Sequence, residues 1–365
     1  MKNLFNKTFI NKKIVITGHT GFKGSWLTAW LKLLGANVVG ISLDNITNPS
    51  HFEEANIGKG IEDIRLDIKD KKKLSDAIND HKPDFIFHLA AQAIVKESYD
   101  EPLNTWETNV IGSLNVLDSL KKLKKKCSVV MITSDKCYEN VEWVWGYKET
   151  DTLGGADPYS ASKAATEIGI SSYVRSFFKP VKNIKIASAR AGNVIGGGDW
   201  ASNRIVPDII KAWSSNEVVS LRYPHSTRPW QHVMEPLSGY LNLAAQLDKD
   251  ESLHGESFNF GPSDNQNYSV QYLVESMSKY WNKSEWKTIK ANNKHHESGL
   301  LKLNCDKSLG LLEWRSVMNF DETVKFTIDW YIDYYKKNTN FNKITESQIK
   351  NYMKLANEKK IKWAL

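Results

Sequence analysis

The stretch "KIVITGHTGFKGSWLTAWLKLLGANVVGISLD", residues 13 to 44, admits few folds. It opens on a short apolar run of β-branched residues and passes through a glycine-punctuated turn. It continues with Trp26, Leu27, Trp30, Leu31 and Leu34 at helical spacing, then returns to an apolar run. That order is one βαβ unit. Gly18, Gly21 and Gly24 follow G-x-x-G-x-x-G, and their missing side chains let the backbone bend tightly and approach a pyrophosphate at the helix N-terminus. Asp44 stands twenty residues after Gly24, at the end of the second strand, where a carboxylate accepts both hydroxyls of a ribose. An unmodified 2′-hydroxyl suits that carboxylate, so the pattern predicts NAD rather than NADP.

The alternation continues. "DIRLDI", "PDFIFHLAAQ", "CSVVMITSD" and "NIKIASARAGNVIG" are strand-like, with helical patterns between them. Strands alternating with helices predict an α/β fold, a doubly wound parallel Rossmann sheet, whose ligands sit beyond the carboxyl ends of the strands. Those ends hold Asp67, Ala90 to Gln92, Thr133 to Lys136, and Ala191 to Asn193. The expected division is a NAD-binding domain over 1–190, to which some later segments return, a smaller C-terminal substrate-binding α/β domain over 191–335, and a basic C-terminal tail over 336–365.

Two motifs at that edge carry chemistry. "ITSDKCY", residues 132 to 138, runs from an apolar strand onto Thr133, Ser134, Asp135 and Lys136, two hydroxyls, a carboxylate and an amine. In "DPYSASK", Tyr159 and Lys163 stand four apart at the start of a helix and share one face. A solvated turn or an amphipathic surface helix accounts for either motif alone. Their order along one sheet places both in a single site.

Lys and Arg number 49 against 42 Asp and Glu, a net charge of +7 over 365 residues, but the excess is scattered and forms no basic and aromatic module for nucleic acid. Cys127, Cys137 and Cys305 lack paired spacing and neighbouring ligand-type histidines, so neither zinc nor a disulfide framework is expected. His295 and His296 in "HHESGLLKLNCDKS" are adjacent, and on an extended segment they point to opposite faces, unsuited to joint metal ligation. No eighteen apolar residues run together and the N-terminus lacks an apolar leader core, which predicts an unexported cytoplasmic protein with no membrane attachment.

The blocks "VITGHTGFKGSWL", "ITSDKCYEN", "EWVWGYKE", "GGADPYSASK", "RAGNVIGGGDWA", "RIVPDI", "RPWQHVMEPLSGY" and "FNFGP" occur in this order. Together they resemble the nucleotide-sugar 4,6-dehydratases of the extended short-chain dehydrogenase/reductase family, and "SDKCYEN" with "RPWQHV" resembles their CDP-sugar branch. The likeness runs from about Lys13 to about Trp330. It implies a tightly held NAD that is reduced and reoxidised within each turnover, CDP-glucose as substrate, and CDP-4-keto-6-deoxyglucose as product. It puts Gly18, Gly21 and Gly24 under the pyrophosphate, with Thr20, Phe22 and Lys23 in the same turn. Asp44 falls on the adenosine ribose, Asp67 and Ile68 near the adenine, and Ala90, Ala91, Gln92 and Asn109 along the cofactor cleft.

In the same likeness Tyr159 and Lys163 carry the redox step, and Thr133 holds or relays the C4 hydroxyl proton. Ser134, Asn193, Arg204 and Arg228 contact substrate. The planar fork of Arg228 suits a diphosphate, and a surface ion pair is the competing account of each arginine. A homodimer through a four-helix bundle is implied, built from helices over about 108–122 and 158–177.

Relatives that act on dTDP-glucose carry Asp-Glu at the strand end, where this chain has Asp135-Lys136. The resemblance makes Asp135 the acid that protonates the departing C6 hydroxyl. Lys136 then becomes the base for the C5 hydrogen, once the 4-ketone has acidified it. An ammonium beside an acid pushes that acid the wrong way, and a neutral Lys136 removes the conflict. A nucleotide-sugar 4-epimerase would use the same Tyr159 and Lys163 but no second acid and base. A NAD-binding regulator without turnover would need none of the four.

Overall fold

The computed structural model describes residues 3–263, 267–289, 300–336 and 340–365. Its main sheet has seven strands: β1 (Lys13–Thr17), β2 (Asn37–Ser42), β3 (Glu62–Arg65), β4 (Phe85–His88), β5 (Cys127–Ile132), β6 (Ile184–Arg190) and β7 (Ser257–Asn259). They lie in the order β3-β2-β1-β4-β5-β6-β7, and every pairing is parallel. Strand order reverses between β1 and β4, which opens a crevice at their carboxyl ends. This is the doubly wound α/β sheet that the alternation predicts.

The strands are almost continuously apolar because both faces are covered. Alternate residues feed opposite cores: Ile14, Ile16, Phe85, Phe87 and Val130 enter one, and Val15, Ile86, Val129 and Met131 the other. The principal helices are α1 (Phe22–Leu33), α2 (Lys71–His81), α3 (Ser113–Leu120), α4 (Pro158–Tyr173), α5 (Ile205–Ser214), α6 (Met234–Leu247), α7 (Phe320–Tyr335) and α8 (Phe341–Glu358). Leu74 of α2, Leu117 of α3 and Ile170 of α4 close the second core, whereas Trp26 and Trp30 of α1 and Leu237 of α6 close the first.

The chain after β6 forms short ribbons that pair Val194–Ile195 with Gln231–His232, Thr227–Arg228 with Tyr268–Ser269, and Val219–Leu221 with Trp286–Thr288. It shares the first core, since Ile209 of α5 and Leu273 join the cluster that holds Ile14 and Trp26. It also returns to the sheet, supplying β7 and α6.

The sequence reading of 336–365 as a basic tail needs correction. Helix α8 buries Ile344, Thr345, Gln348, Ile349, Tyr352, Met353 and Ala356, and packs against α1. Its Lys343, Lys350 and Lys354 face solvent. Beyond it, Trp363 stacks on Phe5 with ring centroids 4.8 Å apart, joining the two ends of the chain. His51 links this helix to the cofactor turn. Its ring stacks on Trp26 at 4.7 Å, with Nδ1 at 2.7 Å from Ser25 Oγ and Nε2 at 3.0 Å from Thr345 Oγ1.

Among the described residues no helix is long and apolar enough to cross a membrane, and no group of three or more His, Cys, Asp or Glu could hold a metal ion. The adjacent His295 and His296 lie outside the described residues.

Candidate active site

The glycine turn between β1 and α1 is sterically closed. Gly18 has φ +77°, and a Cβ there would lie 2.7 Å from the Ala90 nitrogen; a Cβ at Gly24 would collide with the Gly18 carbonyl. Gly21 precedes the first turn of α1 and no side chain caps it, which leaves the leading N–H groups for an anion. Thr20 fastens the turn to the end of β2, its Oγ1 at 2.8 Å from Ser42 Oγ and 3.1 Å from the Leu43 carbonyl. Phe22 lies near Gly196.

Asp44 projects into solvent with its side chain 95% exposed, free to meet a ribose, and Arg65 Nη1 stands 3.5 Å away. Arg65 is braced by Asp63 at 2.7 Å, and Asp63 by the buried His19 at 2.9 Å. Asp67 accepts the Lys69 N–H at 2.8 Å, and Ile68 is buried near Gly112. The Ala90 N–H donates to Thr17 Oγ1 at 3.3 Å, and Ala91 beside it is half-buried.

Gln92 and Asn109 serve the scaffold. The Gln92 N–H donates to Asn109 Oδ1 at 2.8 Å, while Asn109 Nδ2 returns a bond to the Gln92 carbonyl at 3.1 Å and donates to Ser162 at 2.9 Å. Both ends of the Asn109 amide are thereby committed to pinning the loop after β4 onto α4, and not to the cofactor cleft as the resemblance implies.

At the end of β5 the two hydroxyls part. Thr133 turns into the protein, where it donates to the Glu167 carboxylate. Glu167 also accepts from Ser188 at 2.8 Å and pairs with Arg190 at 2.9 Å, and Arg190 reaches the Tyr138 hydroxyl at 2.8 Å. Burial raises the Glu167 pKa, but Arg190, with the bonds from Arg190, Thr133 and Ser188, outweighs it and leaves the carboxyl below its ordinary value. Sequence reasoning missed both Glu167 and Arg190. The available signal was spacing, since Glu167 lies four residues after Lys163 on the same face of α4.

Ser134 turns the other way. Its hydroxyl donates to Asp135 Oδ1 at 2.9 Å and accepts the Lys136 N–H at 3.2 Å, and Ser134 favours the ionised form of the Tyr159 phenol. The hydroxyl beside the phenol is therefore Ser134, not Thr133 as the resemblance was read. Period-two alternation at a strand end sends consecutive side chains to opposite sides. Asp135 is buried against Gly192, where a Cβ would collide with its carboxylate. Lys136 follows, half-buried.

Asp157 caps α4 by accepting the Ser160 N–H at 2.9 Å, which fixes Tyr159 and Lys163 on the first turns. Burial pushes the Tyr159 phenol up to about 12; the Ser134 bond opposes this, Asp135 adds to it and Arg204 opposes it. Lys163 Nζ lies 5.9 Å from the centroid of the Tyr159 ring. Burial lowers its pKa to about 8, the Lys23 charge adds to that, and Glu167 opposes it. Lys23 enters from the glycine turn, with its Nζ 5.9 Å from the centroid of Tyr240. Burial brings it to about 8, with Arg204 adding and Asp135 opposing.

Arg204 pairs with Asp199 at 2.9 Å, and its charge is felt at Tyr159 and Lys23. Asn193 holds φ +48°, and its carbonyl accepts the Gln231 N–H at 3.3 Å. Arg228 lies on the ribbon with Tyr268, its Nη1 on the Thr227 carbonyl at 2.8 Å. The structure thus gathers Lys23, Ser134, Asp135, Tyr159, Lys163 and Arg204 at one sheet edge, with Lys136 adjoining.

A protein-family profile described as GDP-mannose 4,6 dehydratase matches residues 15–327. The chain is 44% identical over 324 residues to the CDP-glucose 4,6-dehydratase of Salmonella typhimurium, covering 88% of this chain and 90% of that relative. It is 23% identical to the CDP-paratose 2-epimerase of Salmonella typhi, with 87% and 98% covered. A solved dTDP-glucose 4,6-dehydratase from Bacillus anthracis in complex with NAD matches with a TM-score of 0.73 at 19% identity, covering 89% of this chain and 98% of that one. A UDP-glucose 4-epimerase with UDP-glucose, from Thermotoga maritima, matches with a TM-score of 0.74 at 22% identity, covering 88% and 99%. At these identities the solved structures establish the fold.

Proposed function

The chain belongs to the GDP-mannose 4,6 dehydratase family, and on that premise we propose that it dehydrates CDP-D-glucose to CDP-4-dehydro-6-deoxy-D-glucose. One observation carries this reading: Tyr159 and Lys163 stand together at the sheet edge where Ser134 donates to Asp135 and Asp135 acts on Tyr159, with Lys136 next in the chain. Epimerisation at C4 needs the first pair alone. Removing water across C5 and C6 needs an acid and a base as well. The 44% identical relative supports the cytidine nucleotide.

The residues present fit NAD. The turn has no room for a Cβ at Gly18 or Gly24, the start of α1 has no side-chain cap, and Asp44 offers an exposed carboxylate for a ribose. Bound NAD supplies the hydride acceptor and donor and a positive charge near the phenol. Tyr159 takes the C4 hydroxyl proton, helped by the Lys163 ammonium, which lowers the cost of a phenolate. The 4-ketone acidifies the C5 hydrogen, Lys136 removes it, and Asp135 protonates the leaving C6 oxygen. Arg204 and Arg228 hold the diphosphate, and Asn193 meets the sugar.

The protein works as a homodimer. Leu103, Trp106, Ile111, Ile168 and Phe177 are exposed apolar side chains on or beside α3 and α4, the helices expected to form a four-helix bundle. Cysteines not joined in disulfides agree with a cytoplasmic setting. The test is to offer CDP-glucose, dTDP-glucose, UDP-glucose and GDP-mannose to the purified protein with NAD. CDP-glucose alone should lose water; comparable turnover of dTDP-glucose would remove the nucleotide assignment.

A further inference from the structure

His51 is buried where the cofactor turn, the loop that carries Arg204 and the terminal helix meet, and its hydrogen bonds run in one direction. Ser25 Oγ has a single proton, which it donates to the Phe22 carbonyl at 2.9 Å. Toward His51 Nδ1, 2.7 Å away, the same oxygen can then only accept, so Nδ1 carries the ring proton. Burial takes the His51 pKa down to about 3, which keeps the ring neutral and leaves Nε2 an acceptor. Thr345 Oγ1 lies 3.0 Å from Nε2 and receives the Trp330 indole N–H at 3.3 Å, so its own proton is turned to the imidazole. The donors follow one another from Trp330 to Thr345 to His51 to Ser25, all four buried, and end on the first turn of α1.

The Arg204 loop is packed between the ends of that chain. A Cβ at Gly197 would collide with the Trp330 ring, and the Gly197 carbonyl accepts the Trp26 indole N–H at 2.9 Å. Gly198, at φ +83°, lies against His51, where a Cβ would stand 2.6 Å from the ring. The Asp199 N–H donates to the Tyr331 hydroxyl at 3.1 Å, that hydroxyl donates to the Asp199 carbonyl at 2.6 Å, and the Asp199 carboxylate holds Arg204 at 2.9 Å. His51 therefore touches the turn expected to cradle the pyrophosphate on one side and the loop that aims Arg204 on the other. Trp330 and Thr345 both lie beyond residue 327, where the match to the family profile ends.

We propose that His51 is a positioning residue that holds the glycine turn and the Arg204 loop at one fixed spacing, with its tautomer set by Thr345 of the terminal helix; the identity of the two ligands rests on the dehydratase reading. Cofactor and nucleotide sugar then share a clamp that neither of them touches. Loosening it should weaken both and leave the chemistry at Tyr159, Asp135 and Lys136 in place.

The test compares Thr345→Val, which keeps the shape of the side chain and removes the hydroxyl, with Thr345→Ser, which keeps the hydroxyl. Calorimetry well below the melting midpoint should show NAD and CDP each binding Thr345→Val about 3–10-fold more weakly than wild type. KM for CDP-glucose should rise with them, while kcat at saturation stays near the wild-type value. Thr345→Ser should restore both affinities and KM. Nitrogen-15 NMR at pH 7 should show the His51 ring of the wild type, assigned by its loss in His51→Gln, as the neutral Nδ1–H tautomer. Unchanged affinities in Thr345→Val beside a lower melting midpoint would make the contact merely stabilising, and an Nε2–H or doubly protonated His51 in the wild type would reverse the order of the bonds. Either result overturns the clamp and leaves the dehydratase reading standing. Wild-type protein that neither binds CDP nor dehydrates CDP-glucose overturns that reading and the clamp with it.

Discussion

Thr133 and Ser134 are consecutive hydroxyls, yet one closes a network inside the protein and the other opens one toward the crevice. Behind Thr133, the carboxylate of Glu167 and the guanidinium of Arg190 pair at 2.9 Å, and Ser188 and Tyr138 supply further hydrogen bonds. Around Ser134, the cations Lys23, Lys163 and Arg204 crowd near Asp135 and Tyr159, and both lysines are brought to about 8. The inner cluster is balanced and holds the strand to the helix. The outer cluster carries an excess of positive charge with perturbed lysines, as expected of a site for an anionic ligand.

Four substitutions break this contrast, in falling order of effect. Tyr159→Phe strikes the outer cluster, so turnover should drop by about 10⁴-fold with the thermal midpoint nearly unchanged, measured by product formation and by melting. Glu167→Ala strikes the inner one and leaves Arg190 buried without its partner. Urea unfolding should show a loss of about 3–5 kcal/mol, as for other broken buried pairs. Gly192→Ala should displace the Asp135 carboxylate while sparing the fold. Reduced cofactor should still form, but water loss should slow by about 10–100-fold in single-turnover traces. Equal slowing of both steps would deny that Gly192 acts through Asp135.

The smallest effect is on stability and pH. Folding lowers the Lys23 pKa from 10.5 to about 8, so between those values the unfolded chain binds more protons and stability rises with pH. Below about 8 the destabilisation is fully present. Lys23→Met should therefore stabilise the cofactor-free protein at pH 7 by about 1–3 kcal/mol, and the gain should fade as pH rises through that window. A gain that does not change with pH would mean that Lys23 is not a strained cation.

The glycine turn and the sheet were legible because their signals are local. Gly18 and Gly24 sit within one turn, and apolar runs alternate with helices along the chain. The resemblance puts Thr133 at the C4 hydroxyl and Ser134 on substrate, whereas Thr133 turns inward to Glu167, because which neighbour faces the crevice depends on where β5 stops. Glu167 and Arg190 were invisible because their pairing bridges α4 and β6, and Gln92 and Asn109 because their amides meet across the loop after β4. The terminal helix was legible and overlooked. Thr345, Gln348, Ile349, Tyr352, Met353 and Ala356 recur at three and four residues, beneath a Lys- and Asn-rich composition that read as a solvated tail.

The proposed elimination at Asp135 and Lys136 is what would separate this site from an epimerase, and NMR of the sugar after turnover of CDP-glucose in deuterated water tests it most directly. The account predicts a 4-keto-6-deoxy sugar carrying solvent deuterium at C5. An epimerised glucose without deuterium at C5 would contradict it and leave Lys136 without a role.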